Sequence, residues 1–339
     1  MKHPVVEAVE RGDLDALVRL VDGLAASRDW PAIVDLRDRC RHALERGLQL
    51  WPAAEYAEYR LALDAPPAFA GPVVTETAGR FALGPLWEVA ASTHSWAELG
   101  PHLPSGPTRA LAAHERVMRG EDVQGDPTID PAVLEIPLML ERWEPQYPVA
   151  TYRSSQAEFP APPAVDLRPW PDAVAGDAVD DSEGVEALVA LALPWAEQSN
   201  GAVAAAAVRG DGGAAMAALA TGPFAAGEIS GADAMAWMAW TAASGGAYGR
   251  RRGGPLGRFA AWWALTTLGD LDWPAESADL AAACDRLVWH RWEPIGATHG
   301  WSASLAVTDP ERGLGWALYA VDDARDESPQ SPVTSHQPE

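Results

Sequence analysis

Three consecutive runs decide how the chain is read: Ser230-Gly-Ala-Asp-Ala-Met-Ala-Trp-Met-Ala-Trp-Thr-Ala-Ala-Ser244, then Gly245-Gly-Ala-Tyr-Gly-Arg-Arg-Arg-Gly-Gly254, then Pro255-Leu-Gly-Arg-Phe-Ala-Ala-Trp-Trp-Ala-Leu-Thr-Thr-Leu-Gly269. The first run opens with Ser230 and Asp233, spaced as in a capping box, and carries Met235, Trp237, Met238 and Trp240 with no polar face. It predicts a buried helix that Gly245 and Gly246 end. In the third run Pro255 suits a first helical position and Gly269 a stop, so a second helix carries Phe259, Trp262, Trp263, Leu265 and Leu268. Together they predict a buried helical hairpin.

Acidic residues stop at Asp233 and resume at Asp270, while Arg250, Arg251, Arg252 and Arg258 fall between them. A glycine-rich turn before a helix N-terminus can hold an anion through amides, helix dipole and guanidinium groups. Gly249, Arg250, Arg251, Arg252, Gly253 and Arg258 are therefore the candidate ligand-binding residues. The Lys-Ser/Thr of a phosphate-binding P-loop is missing. The same arginines could instead pair with the chain's own carboxylates and tie its two halves together.

The chain of 339 residues carries a formal net charge of -23, and Lys2 is its single lysine. That balance argues against a general nucleic-acid or anionic-membrane binder, which needs spread basic surface. Cys40 and Cys284 form no Cys-x-x-Cys and read as two buried, reduced thiols. Met1 to Leu14 has no apolar core of a leader, and no eighteen apolar residues run unbroken, so a cytoplasmic, soluble protein is expected.

Residues 4 to 118 read as consecutive amphipathic helices: one capped by Asp13, one after Asp29-Trp30-Pro31, one from Trp51-Pro52, and shorter ones around Val73 to Ala82, Pro85 to Ala91 and Pro107 to Arg119. This resembles stacked helical pairs, although no fixed repeat period holds. Val133 to Trp143 alternates as a strand would. Ser154 to Gly184 reads as a Pro/Ala/Asp-rich linker. Val185 to Ala196 and Ala202 to Ala220 read as Ala-rich helices, and Gly210-x-Gly212-x-x-Ala215 matches a dinucleotide fingerprint only superficially. Leu287 to Trp292, Trp301 to Val307 and Leu314 to Ala320 suggest a small antiparallel meander, with a helix as the alternative for 309–321. The tail from Asp322 is acidic and Ser/Pro-rich, as disordered segments are.

The expected fold is thus mainly α with a small β element. Its units are an N-terminal helical domain (1–153, solenoid-like or an irregular bundle), a linker (154–184), a C-terminal helical domain (185–321) with the buried hairpin and the meander, and a tail (322–339).

Candidate chemistry is thin. His114-Glu115 lacks the second His of a zinc protease, since Met118 stands there, so His94, His102 and His114 read as surface or capping residues. His290 and His299, near Trp289, Trp292 and Trp301, could serve as acid/base groups in an aromatic pocket, or the tryptophans could simply pack a sheet. No nucleophile elbow, paired-carboxylate set or Cys/His arrangement can be assembled, and no cofactor or metal is expected.

Ser244 to Gly254, Gly257-Arg-Phe-Ala-Ala-Trp-Trp263, Trp301 to Val307 with Asp309-Pro310, Gly12-Asp-Leu-Asp15 and Gly79-Arg-Phe-Ala-Leu-Gly-Pro85 resemble a family of uncharacterised actinobacterial proteins over most of the chain. The resemblance implies one coherent protein and no activity, cofactor or site residue. The function expected from the residues is a non-catalytic interaction or scaffold protein. Its Arg/Gly loop would receive an acidic or phosphorylated group of a protein partner or ligand. An enzyme acting on a phosphorylated or carboxylated small molecule at that loop is the alternative.

Overall fold

A computed structural model describes residues 4–75, 82–171, 173–297 and 300–322. The N-terminal half is built from α1 (Pro4–Arg11), α2 (Leu14–Ala26), α3 (Trp30–His42), α4 (Trp51–Asp64), α5 (Pro67–Ala70), α6 (Leu86–Thr93), α7 (Trp96–Leu99) and α8 (Pro107–Met118). Asp13 and Asp29 each accept a hydrogen bond from the backbone N–H three residues on, which starts α2 and α3 where the sequence suggests. The stripes Leu17/Val21/Ala25 and Ile33/Leu36/Cys40 lie buried in one core with Leu61, Val89 and Val117. Of the helix expected at Val73 to Ala82, the described residues show a short turn at Gly71–Val73, and residues 76–81 lie outside them.

After α8 the chain has only a short 3-10 turn, Pro131–Val133, before β1 (Thr151–Tyr152), β2 (Ala157–Glu158) and β3 (Arg168–Pro169). Val133 to Trp143 is not the expected strand. Its alternating apolar residues pack into the core, but no strand among the described residues pairs with it, and the carbonyls of Pro137 and Met139 accept from the Arg258 side chain instead.

The C-terminal half contains α9 (Ser182–Gln198), β4 (Gly201–Arg209), α10 (Gly212–Leu219), β5 (Phe224–Ile229), α11 (Gly231–Ser244), α12 (Gly254–Leu268), α13 (Ser277–Arg286), β6 (Val288–Pro294), β7 (Trp301–Asp309) and β8 (Leu314–Asp322). The meander β6-β7-β8 is present, and residues 314–322 are strand. It is the middle of a larger sheet than expected, six strands in the order β3-β5-β6-β7-β8-β4. The members not foreseen are β3, β5 and β4, the last read as helix because of its alanines. Nine residues, Gly201 to Arg209, pair antiparallel with Asp322 to Leu314, and this tertiary pairing overrides Ala's helix preference. The protein is therefore mainly α with a six-stranded antiparallel sheet.

One face of the sheet presents Trp289, Leu305, Val307, Trp316 and Leu318 to the core that holds α11 and α12. The opposite face presents Trp292, Ala306, Ala317 and Val208 to Met216 of α10. The dinucleotide-like glycines open α10 by close packing. Thr308 Oγ1 accepts from the Gly212 amide and Asp211 from the Ala214 amide, so these donors serve the fold.

The hairpin α11–α12 forms as expected. Ser230 caps α11 through the Asp233 amide, and Gly245, at φ 76°, closes it in the left-handed region. Arg258, Trp262 and Leu265 of α12 are buried, and α12 packs against α11, α9 and α8. Cys40 and Cys284 are free and buried. No helix among the described residues is long and apolar enough to cross a membrane.

Candidate functional site

Neighbouring arginines on one tight turn cannot share one counter-charge easily, and the four candidates separate accordingly. Arg251 turns inward: its Nε donates to Glu88 Oε2 at 2.9 Å and its Nη2 to Oε1 at 2.7 Å, with the side chain 6% exposed and Glu88 fully buried. The first amide of α12, from Gly254, also donates to Glu88 Oε1 (3.1 Å), and Tyr152 Oη donates to Oε2 (2.7 Å). This is an anion at a helix N-terminus met by a guanidinium, and the anion is a carboxylate of α6. Burial pushes the Glu88 carboxyl up, but the Arg251 charge and these hydrogen bonds hold it below the usual carboxylate range.

Arg258 lies one turn into α12 and is fully buried. Its Nε and Nη2 grip Glu144 at 2.8 and 2.7 Å, while Nη1 and Nη2 donate to the carbonyls of Pro137 and Met139. Glu144 also accepts from Trp262 Nε1, Tyr147 Oη and the Glu141 amide, so both oxygens are saturated. Burial pushes its carboxyl up, and the Arg258 and Trp262 hydrogen bonds bring it below the ordinary range. Arg251 and Arg258 thus bind carboxylates that come from residues before 145, and both pairs join the two halves of the chain.

Arg252 is half-buried; burial lowers its pKa and the charge of Glu197 opposes that. Gly253 sits at φ 101°, with the Trp87 ring where a Cβ would go, so only glycine fits there. Arg250 is exposed, and Gly249 lies between it and Tyr248, which is 56% exposed. Most of the turn's amides already have acceptors: Ala247 donates to Asp322, Tyr248 to Ser199 Oγ, and Arg252 and Gly253 to the Ala243 carbonyl.

Beside this turn lies a cleft of about 640 Å³, walled by Leu83, Phe159, Gln198, Tyr248, Arg250, Arg251 and Trp301 among others. Trp301 is held by stacking on Trp240, with ring centroids 5.2 Å apart at 14°, and the Arg251 guanidinium sits 4.6 Å from the Phe159 ring. The sequence reading missed Glu88, Glu144, Phe159 and Gln198, because each lies far along the chain from the arginines it serves or faces. Glu144 stands in Arg142-Trp143-Glu144-Pro145, a repeat of Arg291-Trp292-Glu293-Pro294 that was noticeable, yet the two copies differ in role: Glu293 is 3.5 Å from Arg291 on the same strand.

Next to the Arg251 pair lies a second buried acid, Glu115 of α8. Its Oε1 accepts from Arg119 Nε at 2.8 Å, while Oε2 has no hydrogen-bond partner among the described residues. A Cβ placed on Gly254 would come within 3.0 Å of that Oε2, so Glu88 and Glu115 meet at the same helix end. Burial and then the Glu88 charge push Glu115 up to about 8 against Arg119 and Arg251, so the pair holds one proton at neutral pH, on Glu115.

His114 is buried rather than on the surface, and burial with the Arg258 charge pushes it down to about 3, so it is neutral. His94 does cap its helix, its Nδ1 bonded to the Ala90 carbonyl. His290 alternates with Arg291 along β6. Arg291 lies 4.0 Å over Trp237 of α11, whereas His290 meets the Trp170 ring on the face that carries α10. The sheet therefore separates His290 from the arginine turn, and His299 lies outside the described residues. Among the described residues no group of three or more His, Cys, Asp or Glu is placed to hold a metal ion.

No curated protein and no solved structure matches the chain. A family model described as a family of unknown function (DUF6183) matches residues 6–324, a span that takes in both helical halves, the sheet and the cleft, and the chain belongs to that family.

Proposed function

We propose that the protein is a non-catalytic interaction protein whose cleft at the Arg/Gly turn receives an acidic group of a partner. The observation that carries this reading is the cleft itself, with Arg250 and Tyr248 exposed at its mouth and Arg251 in its wall. An exposed arginine beside aromatic side chains is the combination that anchors protein interfaces. Arg251 and Arg258 set the frame by holding the start of α12 on α6 and on the segment after α8, and Arg250 makes the contact.

The experiment is capture from lysate with the wild-type chain and with Arg250→Ala and Tyr248→Ala. Arg250 and Tyr248 are exposed, and circular dichroism and thermal unfolding check that each variant keeps the fold. A partner recovered by the wild type and lost by Arg250→Ala is the expected result. A strictly monomeric chain that recovers nothing, or a partner equally retained by both variants, refutes the reading.

A further inference from the structure

We infer that the outward face of α12 and the groove beside it form a second docking surface, separate from the cleft at the Arg/Gly turn, for an arginine-bearing segment of a partner protein. The sequence of α12 puts Leu256, Phe259, Ala260 and Trp263 at i, i+3, i+4 and i+7, the spacing of one helix face. All four keep part of their surface in solvent, and Trp263 is 41% exposed. Trp273 extends the patch, its ring 5.5 Å from that of Phe259 and 5.4 Å from that of Trp263. Its Nε1 donates to Glu135 Oε2 at 3.0 Å, and Pro274 next to it walls a groove of about 650 Å³ together with Pro131, Ile136 and Pro137. An aromatic patch that runs into a groove marks a surface for another molecule to cover.

Charge decides the occupant. The groove's lining carries three carboxylates, Glu135, Glu141 and Glu276, and no basic residue. Glu276 stands at the N-cap of α13 without capping it, and neither it nor Glu141 has a side-chain hydrogen bond or ion pair among the described residues. A second copy of this chain, at a net charge of -23, would bring like charge to these acids, and the chain's own stretch 323–339 holds four acids and one arginine. Nucleic acid and anionic lipid fail for the same reason. A cationic segment matches. Arginine suits it better than lysine, because the planar guanidinium stacks on the Trp263 face and meets a carboxylate through two parallel N–H bonds. A small polyamine would leave the aromatic patch uncovered, whereas a peptide lays apolar side chains on it.

The test is fluorescence anisotropy of a labelled Arg-Ala-Leu-Arg-Ala-Leu-Arg amide with the full chain at pH 7 and about 0.1 M salt, with the all-lysine counterpart and spermine as competitors. Expected are binding of the arginine peptide and competition about fivefold weaker or worse from the other two. The double variant Glu141→Gln/Glu276→Gln and the single variant Trp263→Ala should each weaken binding about tenfold. A control double variant, Asp15→Asn/Glu183→Gln, removes the same charge from α2 and α9 and should stay within about twofold of the wild type. Circular dichroism checks the fold of each variant, and the ranking of the three ligands on the wild type decides the matter where a variant unfolds. A control variant that loses as much as the groove variants shows general attraction to an acidic chain and overturns the inference. So does no binding, binding unchanged in both groove variants, or a lysine peptide or spermine that binds as tightly as the arginine peptide.

Discussion

Glu115→Gln is the most informative single substitution. The folded protein holds this carboxyl neutral up to about pH 8, whereas its ordinary value is 4.5. A pKa raised by folding contributes stability that is fully present below pH 4.5 and is lost as pH climbs to 8, because the unfolded chain releases the proton and the folded one does not. At about 1.4 kcal/mol per pH unit, the loss by pH 8 is roughly 5 kcal/mol, a large share of the 5–15 kcal/mol typical of a folded chain. Glutamine keeps the acceptor for Arg119, adds a donor where Oε2 has no partner, and cannot ionise. Urea unfolding followed by tryptophan fluorescence between pH 4.5 and 9 should therefore give wild-type and variant stabilities within about 1 kcal/mol at the acid end and a variant several kcal/mol the more stable at pH 8 and above. All other titrating groups, His114 included, are common to both chains and cancel in the difference. Parallel pH profiles would refute the reasoning.

Arg258→Ala leaves Glu144 buried without its counter-charge and should cost about 3–5 kcal/mol in urea unfolding; a loss under about 1 kcal/mol would mean that Trp262 and Tyr147 suffice. Gly257→Ala improves helix propensity by about 1 kcal/mol, yet its Cβ meets the Ala239 carbonyl and Ala243 where α11 and α12 cross. A net destabilisation of about 1–3 kcal/mol is expected from differential scanning calorimetry, and a gain would show that the hairpin can open at no cost. Burial pushes the thiols of Cys40 and Cys284 up to about 11 and about 12, so a thiol reagent at pH 8 should label the protein only after denaturant is added; immediate labelling would contradict their burial.

Local signals with a mechanism were the legible ones. Asp13, Asp29 and Ser230 cap the helices they precede, Gly245 ends α11, and alternation in 301–307 and 314–320 marks real strands. Failures came where distant contacts decide. Nothing in Gly201 to Arg209 announces that β8, more than a hundred residues on, turns an alanine run into a strand. Val133 to Trp143 alternates because it packs, while its carbonyls look to Arg258 and not to a neighbouring strand. The arginine cluster was visible as a charge reversal, and so was the option that it binds the chain's own carboxylates. Which carboxylates, Glu88 and Glu144, depends on how α6 and the segment after α8 meet α12, and only the fold shows that.

Arg251 of the Arg/Gly turn fastens the C-terminal half to α6 of the N-terminal half. A double-mutant cycle on Arg251→Ala and Glu88→Ala, read by urea unfolding at pH 7, tests that most directly. A coupling of at least about 2 kcal/mol is expected from a bidentate, desolvated pair. Changes that add within about 0.5 kcal/mol would mean the pair does not hold the halves together.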